Sequence, residues 1–250
     1  MKVLRFRWQN KEAWGRIEGE KIFPLPGHEA IFGGDTGLSI KEVQVLPPTL
    51  PTKIVAVGLN YRDHAEELGM ALPEAPLIFL KPPSAVIGPE DSIVLPQGVG
   101  RVDYEAELAV VIGKTARKVP PEKAGEYILG YTCFNDVTAR DLQKKDGQWT
   151  RAKSFDTFAP IGPWIETDLD PSDLRVRAYV NGELRQDSST ANLIFPVPEL
   201  VSFISHVMTL YPGDVIATGT PPGVGPLAPG DVVEVEVEGV GRLVNFVMER

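Results

Sequence analysis

Proline and glycine set the tightest limit on this fold: 23 Pro and 24 Gly in 250 residues leave few stretches free for a helix of ordinary length. Between these interruptions the apolar residues mostly follow the period of a strand. Val233, Val235 and Val237 alternate with Glu234, Glu236 and Glu238, as on a half-exposed strand. Arg175 to Val180, Asn181-Gly182 and Glu183 to Gln186 read as a hairpin, because Asn-Gly accepts the positive φ of a type I′ turn. Gly239-Val240-Gly241 turns the chain towards a strand from Leu243 to Met248. Further strands are expected over Lys53 to Val57 and Tyr104 to Ile112. The spacing predicts one clear helix through Leu200, Val201, Phe203, Ile204, Val207 and Met208, closed by Pro212-Gly213, and a short one from Asp63 to Leu68 ended by Gly69. The strand–helix alternation of a doubly wound sheet is missing, so the expected class is α+β, predominantly β.

Residues 1 to about 50 read as a small N-terminal β domain with strands Val3 to Trp8, Ala13 to Glu18 and Lys21 to Pro24. The proline-rich run Leu46 to Pro51 resists regular structure and marks a boundary, which leaves 53–250 as a second, larger domain.

The 43% hydrophobic content is that of a globular chain, and no apolar run approaches the roughly 20 residues of a membrane span. Cys133 is the only cysteine, which excludes an internal disulfide or a cysteine-rich zinc site. A cytoplasmic location is the resulting expectation. A net charge of −9 disfavours nucleic acid as a partner. An acidic chain acting on an anionic small molecule must concentrate a few Lys and Arg, or a metal, at the site itself.

Glu105 and Glu107 are two apart in Tyr104-Glu105-Ala106-Glu107-Leu108, so on a strand both would face one side, next to the apolar run Leu108 to Ile112. Asp136 follows a second apolar run, Tyr127 to Phe134. Three such carboxylates would make a hard oxygen site suited to Mg²⁺ or Mn²⁺. On spacing alone the commoner explanation of Glu105 and Glu107 is a solvent-facing pair, which is the explanation preferred for Glu234 to Glu238.

The surrounding text carries more. Val57 to His64 (VGLNYRDH), Ile78 to Pro82 (IFLKP), Asp103 to Leu108 (DYEAEL), Phe134 to Asp141 (FNDVTARD), Lys153 to Asp156 (KSFD) and Thr218 to Pro221 (TGTP) occur in this order. Together they resemble the fumarylacetoacetate hydrolase family over about residues 53 to 250. The resemblance implies a mixed β-roll or partly open barrel, a homodimer, and one Mg²⁺ or Mn²⁺ per subunit held by Glu105, Glu107 and Asp136. It implies a small anionic 2-oxo acid as substrate, acted on through an enolate whose charge the cation offsets.

By the same resemblance His64 and Glu67 form the acid–base pair, on a Tyr61 to Leu72 segment that could act as a lid, and Lys153 is catalytic. Arg62, Lys81, Arg140, Gln143 and Thr220 bind substrate. Spacing is compatible with this: His64 and Glu67 share a helix face, as do Arg140 and Gln143. His206, in the apolar helix, is read as structural. The N-terminal unit is similar to that of bacterial 2-hydroxyhepta-2,4-diene-1,7-dioate isomerases and related decarboxylases. The expected reaction is therefore isomerisation or decarboxylation in aromatic catabolism. The alternatives are C–C hydrolysis of acylpyruvates or fumarylpyruvate, decarboxylation of oxaloacetate, and a non-catalytic metal- or metabolite-binding protein.

Overall fold

A computed structural model describes residues 1–28 and 37–249. The chain starts as an antiparallel meander of β1 (Lys2–Trp8), β2 (Lys11–Glu18) and β3 (Lys21–Pro24), with β4 (Leu38–Ser39) pairing with β3 and β5 (Gln44–Leu46) with β1. It continues through β6 (Ile54–Val57), helix α1 (Arg62–Leu68), β7 (Ile78–Lys81), β8 (Val86–Ile87), β9 (Ser92–Leu95), β10 (Val102–Tyr104) and β11 (Ala106–Ile112). Next come β12 (Ile128–Asn135), β13 (Thr138–Ala139), helices α2 (Arg140–Asp146) and α3 (Thr150–Lys153), and β14 (Ala159–Glu166). The last part holds β15 (Arg175–Val180), β16 (Glu183–Ser189), helix α4 (Val197–Val207), β17 (Val215–Ala217), β18 (Gly225–Pro226), β19 (Val232–Val237) and β20 (Gly241–Glu249). The class is α+β, mainly β, and among the described residues none of its sheets closes.

The largest sheet runs β4-β3-β2-β1-β14-β12-β11-β17-β6-β7. A second has the order β16-β15-β19-β20-β9, and a small third sheet is β13-β10-β18. Strand β11 is buried on both faces, which explains its unbroken apolar run. Leu108, Val110 and Ile112 join the main core with Val233, Val235 and Val237 of β19 and with Leu200, Val201 and Ile204 of α4. Ala109, on the other face, belongs to a smaller cluster with Ile54, Ala56, Phe134, Ile161 and Ala217. Charges inserted at the edge of these apolar clusters have to find partners of their own.

The N-terminal strands keep a small core of Leu4, Phe6, Ala13 and Ile22, yet β1 pairs with β14 through Lys2 with Glu166 and Val3 with Ile165. Trp164 packs against this cluster and against the main core. A division near residue 50, which we still propose, would separate two units that share a sheet.

Several turns follow the residue chemistry. Asn181 and Gly182 both have positive φ (53° and 79°), as a type I′ hairpin requires. Gly69 ends α1 in the left-handed region, and the N–H groups of Gly69 and Met70 close onto the carbonyls of Glu66 and Ala65. The expected single strand from Tyr104 to Ile112 is instead broken at Glu105. Its N–H donates to the Asn135 side chain (2.9 Å), and its carbonyl accepts from Asp136 N–H (2.9 Å). Strand β10 therefore leaves for the third sheet while β11 stays in the first. The two glutamates converge through this break rather than through uninterrupted strand alternation. His206 lies on an exposed turn of α4, with Nδ1 2.9 Å from the Ser202 carbonyl.

Candidate active site and metal centre

The register of β11 on β12 sets Ala106 opposite Asn135, which brings Glu105 and Glu107 beside Asp136. Oxygens of the three carboxylates lie within 4.8 Å of one another, and all three residues are buried. Such a cluster is unfavourable without positive charge. Lys153, at the end of α3, places its ammonium between Glu105 Oε2 (2.8 Å) and Asp136 Oδ2. Lys81, fully buried at the end of β7, donates to Asp136 Oδ1 and to the Val137 carbonyl (3.1 Å). Arg140 donates from Nη2 to Glu105, from Nε to Asp103 (2.9 Å) and from Nη1 to Gln143 (2.7 Å).

These contacts divide the carboxylates. Burial alone would raise the Glu105 carboxyl, but the charges of Lys153 and Arg140 hold it down at about 2. Burial pushes Glu107 well above the ordinary carboxylate range, and the charges of Asp136 and Glu105 push it further. Among the described residues Glu107 has no ion pair, and its hydrogen bond comes from Gly219 N–H (2.9 Å). Three hard oxygen ligands, one of them lacking a basic partner, fit a small divalent cation, which would supply the missing positive charge.

A cavity of about 390 Å³ is lined by Glu105 and Glu107, while Asp136, clustered with them, does not reach its wall. Leu68, Met70, Leu77, Phe79 and Trp149 give it apolar sides, with the Phe79 and Trp149 rings edge-to-face at 5.2 Å. His64 also lines it. Its Nδ1 lies 2.8 Å from Glu67 Oε2, while Glu67 Oε1 accepts from Gly223 N–H (3.2 Å). A carboxylate on Nδ1 favours the tautomer in which Nε2 is unprotonated and can accept a proton. Helix α1 is also tied at its start, where Asp63 accepts from Ser188 and from Asn192 (3.2 Å).

Most of the residues expected at the site are brought together here, but four have duties other than a simple substrate contact. Arg62 turns away: it donates to the Leu193 carbonyl (2.6 Å) and lines a different cavity, because two residues along a helix it points nearly opposite to His64. Lys81 sits behind Asp136 and is absent from the cavity wall. Arg140 reaches the wall with its guanidinium already shared among Asp103, Glu105 and Gln143. The Thr220 hydroxyl donates to the Ala106 carbonyl (2.9 Å) and accepts from Gln186 (2.9 Å), so the donor it can offer a ligand is its main-chain N–H.

Sequence reasoning missed Asn135 and Gln186, whose partners are distant in the chain, Asp103, which accepts from distant Arg140 as well as from nearby Arg101, and Phe79, Lys144 and Trp149 on the cavity wall. Only Lys144 left a usable sign, because it stands four residues after Arg140 on α2.

Gly219 carries a test of how tightly this frame is built. Its φ is +102°, and an added Cβ would lie 2.8 Å from the Asn60 Cβ. Gly219→Ala should destabilise the protein by about 2–3 kcal/mol. It should also weaken Mg²⁺ binding, since this N–H holds Glu107. Thermal melts with and without Mg²⁺ measure both effects.

Comparison with known proteins agrees with the geometry. The family described as fumarylacetoacetate (FAA) hydrolase C-terminal matches residues 53–248, and the one described as Rv2993c-like, N-terminal matches residues 1–48. An Archaeoglobus fulgidus protein is 62% identical over 231 residues, covering 92% of each chain. A Salmonella dublin 4-hydroxyphenylacetate degradation bifunctional isomerase/decarboxylase is 51% identical over 78% of this chain and 46% of its own. The rat mitochondrial oxaloacetate tautomerase Fahd2a is 43% identical over 81% of this chain and 68% of its own.

Among solved structures, 5-carboxymethyl-2-hydroxymuconate delta-isomerase of Mycobacterium smegmatis superposes with a TM-score of 0.93 at 48% identity, covering 100% of this chain and 99% of that one. Maleylpyruvate hydrolase of Sphingobium sp. SYK-6, solved with manganese(II) and pyruvate, gives 0.84 at 33%, with the same coverage of both chains. On the family match over most of its length and on these identities, the chain belongs to the fumarylacetoacetate hydrolase family, in which these relatives include isomerases, a decarboxylase, a tautomerase and a hydrolase.

Proposed function

We propose that this protein is a Mg²⁺- or Mn²⁺-dependent enzyme that moves a proton on 2-oxo or 2-hydroxy-2-enoic dicarboxylic acids. Isomerisation of 2-hydroxyhepta-2,4-diene-1,7-dioate, or an associated decarboxylation, is the preferred reaction. The observation that carries this is the shared cavity: two carboxylates of the triad, Glu105 and Glu107, line it with Asp136 clustered against them, and a carboxylate-oriented imidazole lines it too, together with apolar side chains. Glu105, Glu107 and Asp136 would hold the cation, which when bound polarises a 2-oxo group and offsets developing negative charge.

The protein's own groups do the rest. Lys153 and Arg140 keep Glu105 ionised and in place, and Lys81 anchors Asp136 from behind. Gln143 has its carbonyl oxygen bonded to Arg140, which leaves its NH₂ to donate to the substrate. His64 Nε2 takes the 2-hydroxyl proton of the dienol and returns a proton to a carbon of the conjugated chain, while Glu67 stabilises the imidazolium formed in between. The His64 side chain is 11% exposed and the neighbouring wall is apolar, so bulk water is scarce around the proton in transit.

A second reading, C–C hydrolysis, uses the same groups with His64 activating a water. The likeness to a maleylpyruvate hydrolase favours it. A homodimer and a cytoplasmic site of action belong to the same proposal.

The test is turnover of oxaloacetate, acetylpyruvate, fumarylpyruvate and 2-hydroxyhepta-2,4-diene-1,7-dioate with Mg²⁺ or Mn²⁺, repeated in excess EDTA. We expect metal-dependent consumption of a dicarboxylate, with an isomer or CO₂ among the products. Cleavage to pyruvate and a second acid would select hydrolysis. Turnover indifferent to EDTA would remove the carboxylate-triad mechanism.

A further inference from the structure

The cavity wall carries three cationic side chains, and two of them are already committed. Lys153 lies between Glu105 and Asp136, and Arg140 is shared among Asp103, Glu105 and Gln143. Lys144 is different. It lines the same cavity, is exposed at its mouth, and has neither ion pair nor hydrogen bond among the described residues. It stands four residues after Arg140 and one after Gln143 on α2, so the helix turns it to the same side as Arg140.

An anion entering the cavity meets buried carboxylates at the inner wall, where a cation would be needed to receive it. At the mouth it meets one unspent ammonium. In a chain with a net charge of −9, an unpaired lysine on a cavity wall is where a negatively charged end of a ligand is drawn.

We infer that Lys144 is the specificity-determining residue of this cavity, reading a second carboxylate at the end of the substrate remote from the carboxylate triad. The inference rests on the proposed 2-oxo dicarboxylic acid chemistry and names the residue that would read the second carboxylate. The chain between the two charged ends would run along Phe79 and Trp149, whose edge-to-face rings give the cavity apolar lining. Arg140, one of the residues expected to bind substrate, has its guanidinium taken up by Asp103, Glu105 and Gln143. Lys144 takes over the anion contact. As the group is exposed, the attraction is moderate and weakens with salt.

The test is calorimetric binding to the Mg²⁺-loaded protein, with pyruvate as the monocarboxylate and 2-oxoglutarate, 2-oxoadipate and 2-oxopimelate as dicarboxylates of increasing length. For at least one of the dicarboxylates, Lys144→Ala should weaken binding about five- to tenfold and Lys144→Glu more, while Lys144→Arg retains it. Pyruvate affinity should stay within about twofold across the three variants. Raising the salt concentration should reduce the difference between parent and Lys144→Ala.

Equal loss for pyruvate and the dicarboxylates, or no loss for any dicarboxylate, overturns the inference and leaves the proposed chemistry standing. Absence of Mg²⁺-dependent binding of every 2-oxo acid to the parent protein overturns the proposed chemistry, and this inference with it.

Discussion

Glu107→Gln is expected to cut metal-dependent turnover by on the order of a thousandfold, about 4 kcal/mol of transition-state stabilisation, while leaving the metal-free protein at least as stable as its parent. The two halves of this expectation have one cause. Glu107 is the carboxylate of the triad without a basic partner, and burial followed by the charges of Asp136 and Glu105 raises its proton affinity. In the metal-free protein its ionised form is a cost, which the neutral amide removes at nearly the same volume and with Gly219 N–H still able to donate to it. Folding raises this pKa, so between the ordinary carboxylate range and the raised value the folded chain holds more protons than the unfolded chain. Stability without metal therefore falls as pH rises through that window, and the Gln variant lacks this slope. In the parent, Mg²⁺ must displace the Glu107 proton, so its affinity increases with pH over the same window. At a Mg²⁺ concentration a hundred times Kd the parent gains about 2.7 kcal/mol, roughly 5 to 10 °C in Tm for a chain of this size. The Gln variant should lose most of that shift. A variant that kept both its Mg²⁺ thermal shift and its turnover would show that the triad is not the metal centre.

How much of this could be read from the sequence depended on how far apart the interacting residues lie. The strand period of Val233 to Val237 and the positive φ of Asn181-Gly182 are local properties, and both are found. Glu105, Glu107 and Asp136 adjoin apolar runs, where an unpaired charge is expensive, but spacing alone favours a solvent-facing glutamate pair, and it is the resemblance to the family that points to a metal site. The break at Glu105 was not legible, since it depends on Asn135, a residue thirty positions away that takes the Glu105 N–H. The use of the Arg140 guanidinium was hidden for the same reason, because Asp103 comes to it through the short pairing of β10 with β13. Arg62 misled through adjacency in a motif: the chain text places it next to His64, but the helix places it on the other side. The N-terminal unit was legible as strands and turns. Its continuity with the large sheet was not, because the Lys2–Glu166 pairing spans most of the chain.

The second large effect is expected at His64. His64→Ala should lower turnover by roughly 10²- to 10⁴-fold, the usual worth of a positioned acid–base group, and leave the Mg²⁺ thermal shift of the parent intact. The role of the imidazole depends on which ring nitrogen is free. Nδ1 is engaged by Glu67, and Glu67 is itself held by Gly223 N–H, so the imidazole is oriented from a second loop and not merely by its own helix. Glu67→Gln removes the negative charge beside the imidazole and replaces the acceptor by an amide that can be turned either way. It should cost less than the loss of the ring, about 10- to 100-fold, with the loss concentrated in kcat. Solvent deuterium separates the chemical readings. If His64 carries a proton between the enol oxygen and carbon, the parent in D₂O incorporates deuterium at the newly protonated carbon of the 2-oxo product, and His64→Ala loses this incorporation together with turnover. If His64 activates water for hydrolysis, cleavage is lost in the variant while any exchange assisted by the metal persists. Full turnover in His64→Ala would place the proton-transfer group elsewhere. Lys153 would then be the next candidate, since its ammonium also faces the cavity and is buried against two of the three carboxylates.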